Sequence, residues 1–284
     1  MPVPRLSADT ARSITHRRVA AQNLDRPGLA AGGSAAPPGF DYAWAKATGG
    51  ALTSAQRRQL LTPLAHVVVS HAIGRLRVAL GWRGAGGIDL DRMRWPDSQL
   101  ARDAEQQARE ELSPHMLQHS YRTFLFGLAL AALDDAPVDH ELVYVASLLH
   151  DLNLEQPTPG HCFAVVGGER AEQFALQRGV SSERAAAIGA AISGHITVGA
   201  AGNLADPAGF VSAGAFVDVA GVRLHELHPA WVEQVLRRHP RLGFRGHLLT
   251  AFAAEAAAVP DGRIHWCLRY AGFKPLVRLA PFAE

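Results

Sequence analysis

Lysine is nearly missing from this 284-residue chain: Lys46 and Lys274 are its only two, so arginine carries almost all of the positive charge. The arginines are scattered and interleaved with acids, and the formal net charge is only +2. That pattern excludes the basic stripe of a nucleic-acid binder and the polybasic patch of a membrane-surface protein. Cysteine is equally scarce. Cys162 and Cys267 stand far apart with no CxxC or zinc-ribbon spacing, which removes a thiolate metal site. Two free thiols in a reducing cytoplasm are expected, with a single disulfide as the alternative. Long apolar runs are absent too. The most apolar window, "PLAHVVVSHAIGRLRVALGW" from Pro63, holds two arginines and two histidines and is too polar to span a bilayer. Arg17-Arg18 lacks the apolar stretch that a twin-arginine signal needs, because Gln22, Asn23, Asp25 and Arg26 interrupt it. The Gly cluster "GWRGAGG" has neither the preceding strand nor the GK[ST] ending of a phosphate loop, and reads as a turn. A cytoplasmic protein is expected.

Alternation with period two is almost absent as well, which excludes a sheet protein and turns attention to helices. With 48% hydrophobic residues the chain can bury a sizeable core. Residues 1–40, rich in Ala, Gly, Pro, Ser and Arg, read as a loosely ordered leader. From Ser54 to Leu80 apolar residues recur at three and four. "ELSPHMLQHSYRTFLFGLALAAL" has the strongest helix start, with Ser113 as N-cap and Pro114 at the first helical position. "DHELVYVASLLHD", "CFAVVGGERAEQFALQRG", "SSERAAAIGAAISGH", "GFVSAGAFVDVAGVRLHEL", "HPAWVEQVLRRHP" and "FRGHLLTAFAAEAA" follow as further helices. The expected fold class is all-α.

Against that background, polar groups on apolar faces stand out. His119 lies between Leu117 and Tyr121 at the edge of a buried stripe, where a core histidine and a ligand are both plausible. His150-Asp151 is delivered by "VASLLHD" from the end of an apolar helix. His195 closes "AAAIGAAISGH" on that helix's apolar face. Asp218, inside "AGAFVDVAG", is costly unless it is paired, hydrogen-bonded or bound to a metal. Two nitrogens and two oxygens, from His119, His150, Asp151 and Asp218, could converge on one cation where the helices cross. Such a set suits zinc, iron or manganese.

The order His119, His150-Asp151, Asp218 resembles the H…HD…D signature of the HD-domain superfamily of metal-dependent hydrolases. "HSYRTFLFG", "ASLLHDLN", "TPGHCFAVVGG", "AAISGH" and "FVDVAG" resemble its cyanamide-hydratase-like branch over about residues 110–250. The resemblance implies an HD-domain helical bundle over 101–258, flanked by an N-terminal helical extension (41–100) and a C-terminal tail (259–284). It makes His119, His150, Asp151 and Asp218 the ligands of one divalent ion, zinc first and iron or manganese next. Asp151, His161 and His195 become the catalytic groups. His161 and His195 would face substrate or help hold a second metal, and Arg122 would brace the site by pairing with an acid. His115 shares a helix face with His119 but has no counterpart in the motif. Many HD phosphohydrolases follow the pair with Gly-Lys; here "HDLNLEQ" has no lysine within a hundred residues on either side. The expectation is therefore hydration or hydrolysis of a small molecule, by a water that the ion activates. Nucleotide or other phosphate-ester hydrolysis is the alternative, and a non-catalytic binding module the third. A small-molecule substrate is expected, no nucleic-acid or membrane partner is, and a homo-oligomer remains open.

Overall fold

A computed structural model describes residues 37–284. The expected leader lies outside the described residues apart from its last four, and Arg17-Arg18 lies wholly outside them. The described residues are helical, with no strand among them and only two isolated bridges, Gly86 with Leu227 and Thr158 with His161. The helices run α1 (Tyr42–Thr48), α2 (Ser54–Gln59), α3 (Leu61–Ala79), α4 (Gln99–Glu111), α5 (Pro114–Leu133), α6 (His140–Leu149) and α7 (Phe163–Gln177). They continue with α8 (Ser182–Gly194), α9 (Pro207–Ala220), α10 (Pro229–Arg238), α11 (Phe244–Ala258), α12 (Arg263–Tyr270) and α13 (Phe273–Arg278). No described helix is long and apolar enough to cross a membrane. Cys162 and Cys267 are buried, unpaired thiols.

Caps set the starts of the central helices. Ser113 Oγ accepts from the Met116 amide ahead of Pro114, Asp139 caps α6 at Leu142, and Asp206 caps α9 ahead of Pro207. α9 stops sooner than its sequence pattern suggests, because Gly221 turns left-handed at φ 72° and the chain passes into a short 3₁₀ turn. The apolar repeat over 54–80 is likewise two helices. Pro63 has no N–H to give the carbonyl four residues back, and the break falls at Leu60.

α9 lies at the centre, packed on α5, α6 and α8, while α8 also packs on α7. The approach of α5 to α9 depends on glycine: a Cβ at Gly214 would stand 2.0 Å from the Thr123 carbonyl oxygen. α4, a polar helix not among those expected from the sequence, seats Leu100, Ala101, Ala104 and Ala108 in the core. Residues 259–284 do not trail away from the body. α12 and α13 bury Arg263, Trp266, Phe273 and Val277 and pack on α11 and α9. α3 is the opposite case. Of its nineteen residues only Gly74 is fully buried, and Leu61, Val68, Val69 and Leu76 are largely exposed.

Candidate metal centre

Three helices deliver the centre. His119 stands on α5, and His150 and His195 are the C-cap residues of α6 and α8. At a C-cap the last carbonyls of a helix lack amide partners, and here the histidines supply them. His150 Nδ1 donates to Ser147 O at 2.8 Å, and His195 Nδ1 donates to Ile192 O at 2.6 Å. His119 Nδ1 lies 2.7 Å from Asp218 Oδ2. Nδ1 of all three rings is thus held by an oxygen acceptor, so that each ring in its neutral form presents Nε2, the posture of a metal-ligating histidine. Two helix C-termini, the negative ends of their dipoles, also converge on this point and favour a cation there.

The spacing fits an ion. His150 Nε2 is 3.3 Å from His119 Nε2 and 3.2 Å from Asp151 Oδ2, and His119 Nε2 is 3.6 Å from the same oxygen. Donors held about 2.0–2.1 Å from one tetrahedral zinc stand about 3.3–3.4 Å apart. Two Nε2 lone pairs that face each other across such a gap need a cation or a proton between them. Among the described residues, His119, His150 and Asp151 form the group that could hold a metal ion, and all three are buried. His195 completes the ring from a greater distance, its Nε2 3.8 Å from Asp151 Oδ1.

Asp218 stands behind this group. Arg122 meets its carboxylate side-on, with Nε 2.9 Å from Oδ1 and Nη2 2.9 Å from Oδ2. Arg241 Nη1 reaches Oδ1 at 2.5 Å and the Asp218 carbonyl at 3.0 Å. Arg122 is itself fixed, donating through Nη1 to the carbonyls of His239 and Pro240. Phe244 stacks on the His119 ring with centroids 4.5 Å apart. The sequence expectation placed Asp218 among the ligands; its carboxylate lies against His119 Nδ1 and two guanidinium groups, while the donors that lie together are His119, His150 and Asp151. His161 is not brought to the centre. It is exposed on the loop before α7, its amide bonded to Thr158 O. His115 stacks on His247, away from the centre. Arg241 gave no sequence signal, since it falls in no motif and no periodic stripe, and Phe244, though it opens the apolar stripe of α11, did not point to the centre.

Charge follows from these contacts. Burial alone would raise both carboxyls. The His150 charge and hydrogen bond, with His119 and His195, bring Asp151 down to about 2 instead. Arg122, His119 and Arg241 hold Asp218 well below the carboxylate range. Burial lowers His119 despite the pull of Asp218, and burial with the His150 charge lowers His195 to about 3. His150 is also pushed down by burial, but the charge and hydrogen bond of Asp151 outweigh this and raise it. Both carboxylates are therefore ionised and His119 and His195 neutral at pH 7, the forms a divalent ion requires, and an ion would displace the proton that Asp151 favours on His150.

Beside the donors lies a cavity of about 40 Å³, space for a few atoms. Its remaining wall is apolar and includes Ile196, Val219, Leu248, Phe252 and Phe273, with no arginine or lysine. No family model matches the chain, and no curated protein matches its sequence.

Proposed function

We propose that this chain is a metal-dependent hydratase of the HD type, which adds water to a small neutral group such as a nitrile or cyanamide. The observation that carries the reading is the cavity: about 40 Å³, apolar beyond the donors, and without arginine or lysine on its lining. A phosphate ester would bring at least one negative charge into that space, with no arginine or lysine on the wall to share it with the ion. Arg122 and Arg241, the buried arginines nearest the centre, are committed to Asp218.

His119, His150 and Asp151 would hold the ion, zinc by preference for this N,N,O set, with Asp218 fixing the tautomer of His119. A divalent ion there supplies Lewis acidity and makes water a better acid. Hydration places the water oxygen on the nitrile carbon and moves protons from oxygen to nitrogen, giving an amide with nothing lost. Asp151 is ionised and touches both sides of the site: Oδ2 faces His119 and His150, and Oδ1 faces His195. It takes the proton from the attacking water and returns it toward nitrogen. His195 donates its Nδ1 hydrogen to Ile192, so its Nε2 can only accept a hydrogen bond and orients the water.

A substrate panel tests this. Zinc-loaded protein is given cyanamide and small nitriles beside p-nitrophenyl phosphate and nucleoside monophosphates. Amide or urea release is expected, lost in Asp151→Ala; turnover of the phosphates alone would overturn the reading in favour of a phosphohydrolase. No bound metal in the wild type, and no difference on Asp151→Ala, would leave a binding module.

A further inference from the structure

A second cavity, of about 460 Å³, lies under the inner face of α3, against α9 and the α12–α13 end of the chain. It is roughly ten times larger than the cavity at the metal centre and falls in the range of small-molecule sites. Leu64, Val67, Ala213, Val222 and Leu276 give it an apolar wall. Its arginines are engaged elsewhere: Arg223 pairs with Asp134 and Glu226, and Arg75 donates to the Leu279 carbonyl.

Two further observations connect this space to chemistry. Phe216, Cys267 and Phe273 line both cavities, and the Phe216 and Phe273 rings stand 6.1 Å apart at 77° between them. α9 carries the arrangement in its own period. Ser212, Phe216 and Val219 share one helix face, with Ser212 on the large cavity, Phe216 on both and Val219 on the small one. Seven residues of helix from Ser212 to Val219 span about 10 Å. Ser212 is also the one polar group on that face, 1% exposed, and its Oγ has no hydrogen-bond partner. A helical serine commonly returns its hydroxyl to the carbonyl one turn back; this one does not, and a buried hydroxyl left unbonded is costly.

We infer that the large cavity holds the body of the substrate, an organic nitrile with an alkyl or aryl body and a hydrogen-bonding group about 10 Å from the nitrile. Ser212 Oγ takes that group, the Phe216 and Phe273 rings, which meet edge to face between the two cavities, part to admit the chain, and the nitrile lies beside Asp151 and His195. The identity of the reacting group rests on the hydratase reading; the cavity and the serine do not.

Calorimetry on the zinc-loaded full chain, with butanenitrile, hexanenitrile, octanenitrile and 8-hydroxyoctanenitrile, tests the cavity, and amide release from the same compounds tests the chemistry. Kd is expected to fall about three- to fourfold per methylene up to eight carbons. The terminal hydroxyl should improve binding severalfold, and Ser212→Ala should remove that gain alone. Ala72→Trp, at an exposed position of α3 that lines the cavity, should weaken octanenitrile at least tenfold. Ala201→Phe on another wall repeats the test should the first variant not fold. A Kd that does not change with chain length, or octanenitrile binding untouched by either filling substitution, overturns the inference even if cyanamide is hydrated. Binding with the expected length dependence but without hydration of any nitrile or of cyanamide overturns the hydratase reading and the ligand's status as substrate, and leaves the cavity as an apolar-ligand site.

Discussion

Asp218 is fully buried between one imidazole and two guanidinium groups, and its role depends on which of these partners it serves. As the group that orients His119, it tunes the centre without being indispensable to it. Asp218→Asn should then weaken zinc binding about 10- to 100-fold, the usual loss on removing an orienting partner. His119→Ala and His150→Ala should instead yield protein with no zinc after dialysis. Competition titration with a chromophoric chelator reads both. Asp218→Asn protein that emerges as empty as the histidine variants would make Asp218 a direct ligand. The asparagine also leaves Arg122 and Arg241 buried with less counter-charge, and breaking a buried pair in this way costs about 3–5 kcal/mol. The lone acid in "AGAFVDVAG" was legible as a group in need of partners. Its partner Arg241 was not, because that side chain is aimed by the left-handed turn at Leu242, φ 57°, and by the seating of α11.

Between elements, side chains of one helix complete the ends of another. α7 begins at Cys162 with no side-chain cap of its own, and Glu255 of α11 accepts from the Phe163 amide at 2.9 Å. Burial raises the Glu255 carboxyl from 4.5 to about 6, against the pull of the Phe163 amide and of Arg263. A folded-state value above the unfolded one gives stabilisation that is complete below pH 4.5 and lost as pH rises through 6. Glu255→Gln keeps the acceptor without the charge. It should match the wild type near pH 4.5 and be more stable by about 2 kcal/mol at pH 7.5. Urea melts at the two pH values measure this, and a difference that stays constant between them would exclude the mechanism. α4 was not among the expected helices, although its polar sequence carries one buried face, Leu100, Ala101, Ala104 and Ala108.

For the molecule as a whole, the centre is a tie between helices remote in sequence. His119 on α5 and the His150-Asp151 pair at the end of α6 face His195 at the end of α8, and an ion held among them binds the folded chain alone. At a free zinc concentration of 100 Kd the folded state gains about 2.7 kcal/mol. In a chain of this size that corresponds to a rise in Tm of roughly 5–10 °C. Differential scanning calorimetry with zinc and with a chelator should show this shift in the wild type and none in His150→Ala. A wild-type Tm indifferent to both additions would argue that no resident ion is held there.

Local pattern determined most of the helices, their caps and the presence of polar groups in need of partners at His119, His150-Asp151, His195 and Asp218. These follow from nearest-neighbour physics: a 3.6-residue period, an N-cap oxygen, and the cost of a polar group on an apolar face. Only the tertiary structure decided what those groups do for one another. It placed His195 at the centre and His161 on the surface. It turned Asp218 toward Arg122 and Arg241, and packed residues 259–284 against α9 and α11. It also left a 40 Å³ apolar space beside the donors, with a larger one behind two phenylalanines. Such facts depend on where residues a hundred positions apart meet, and that is set by how helices cross. Gly214 against the Thr123 carbonyl is the clearest instance, since its missing side chain has meaning only beside the helix it touches.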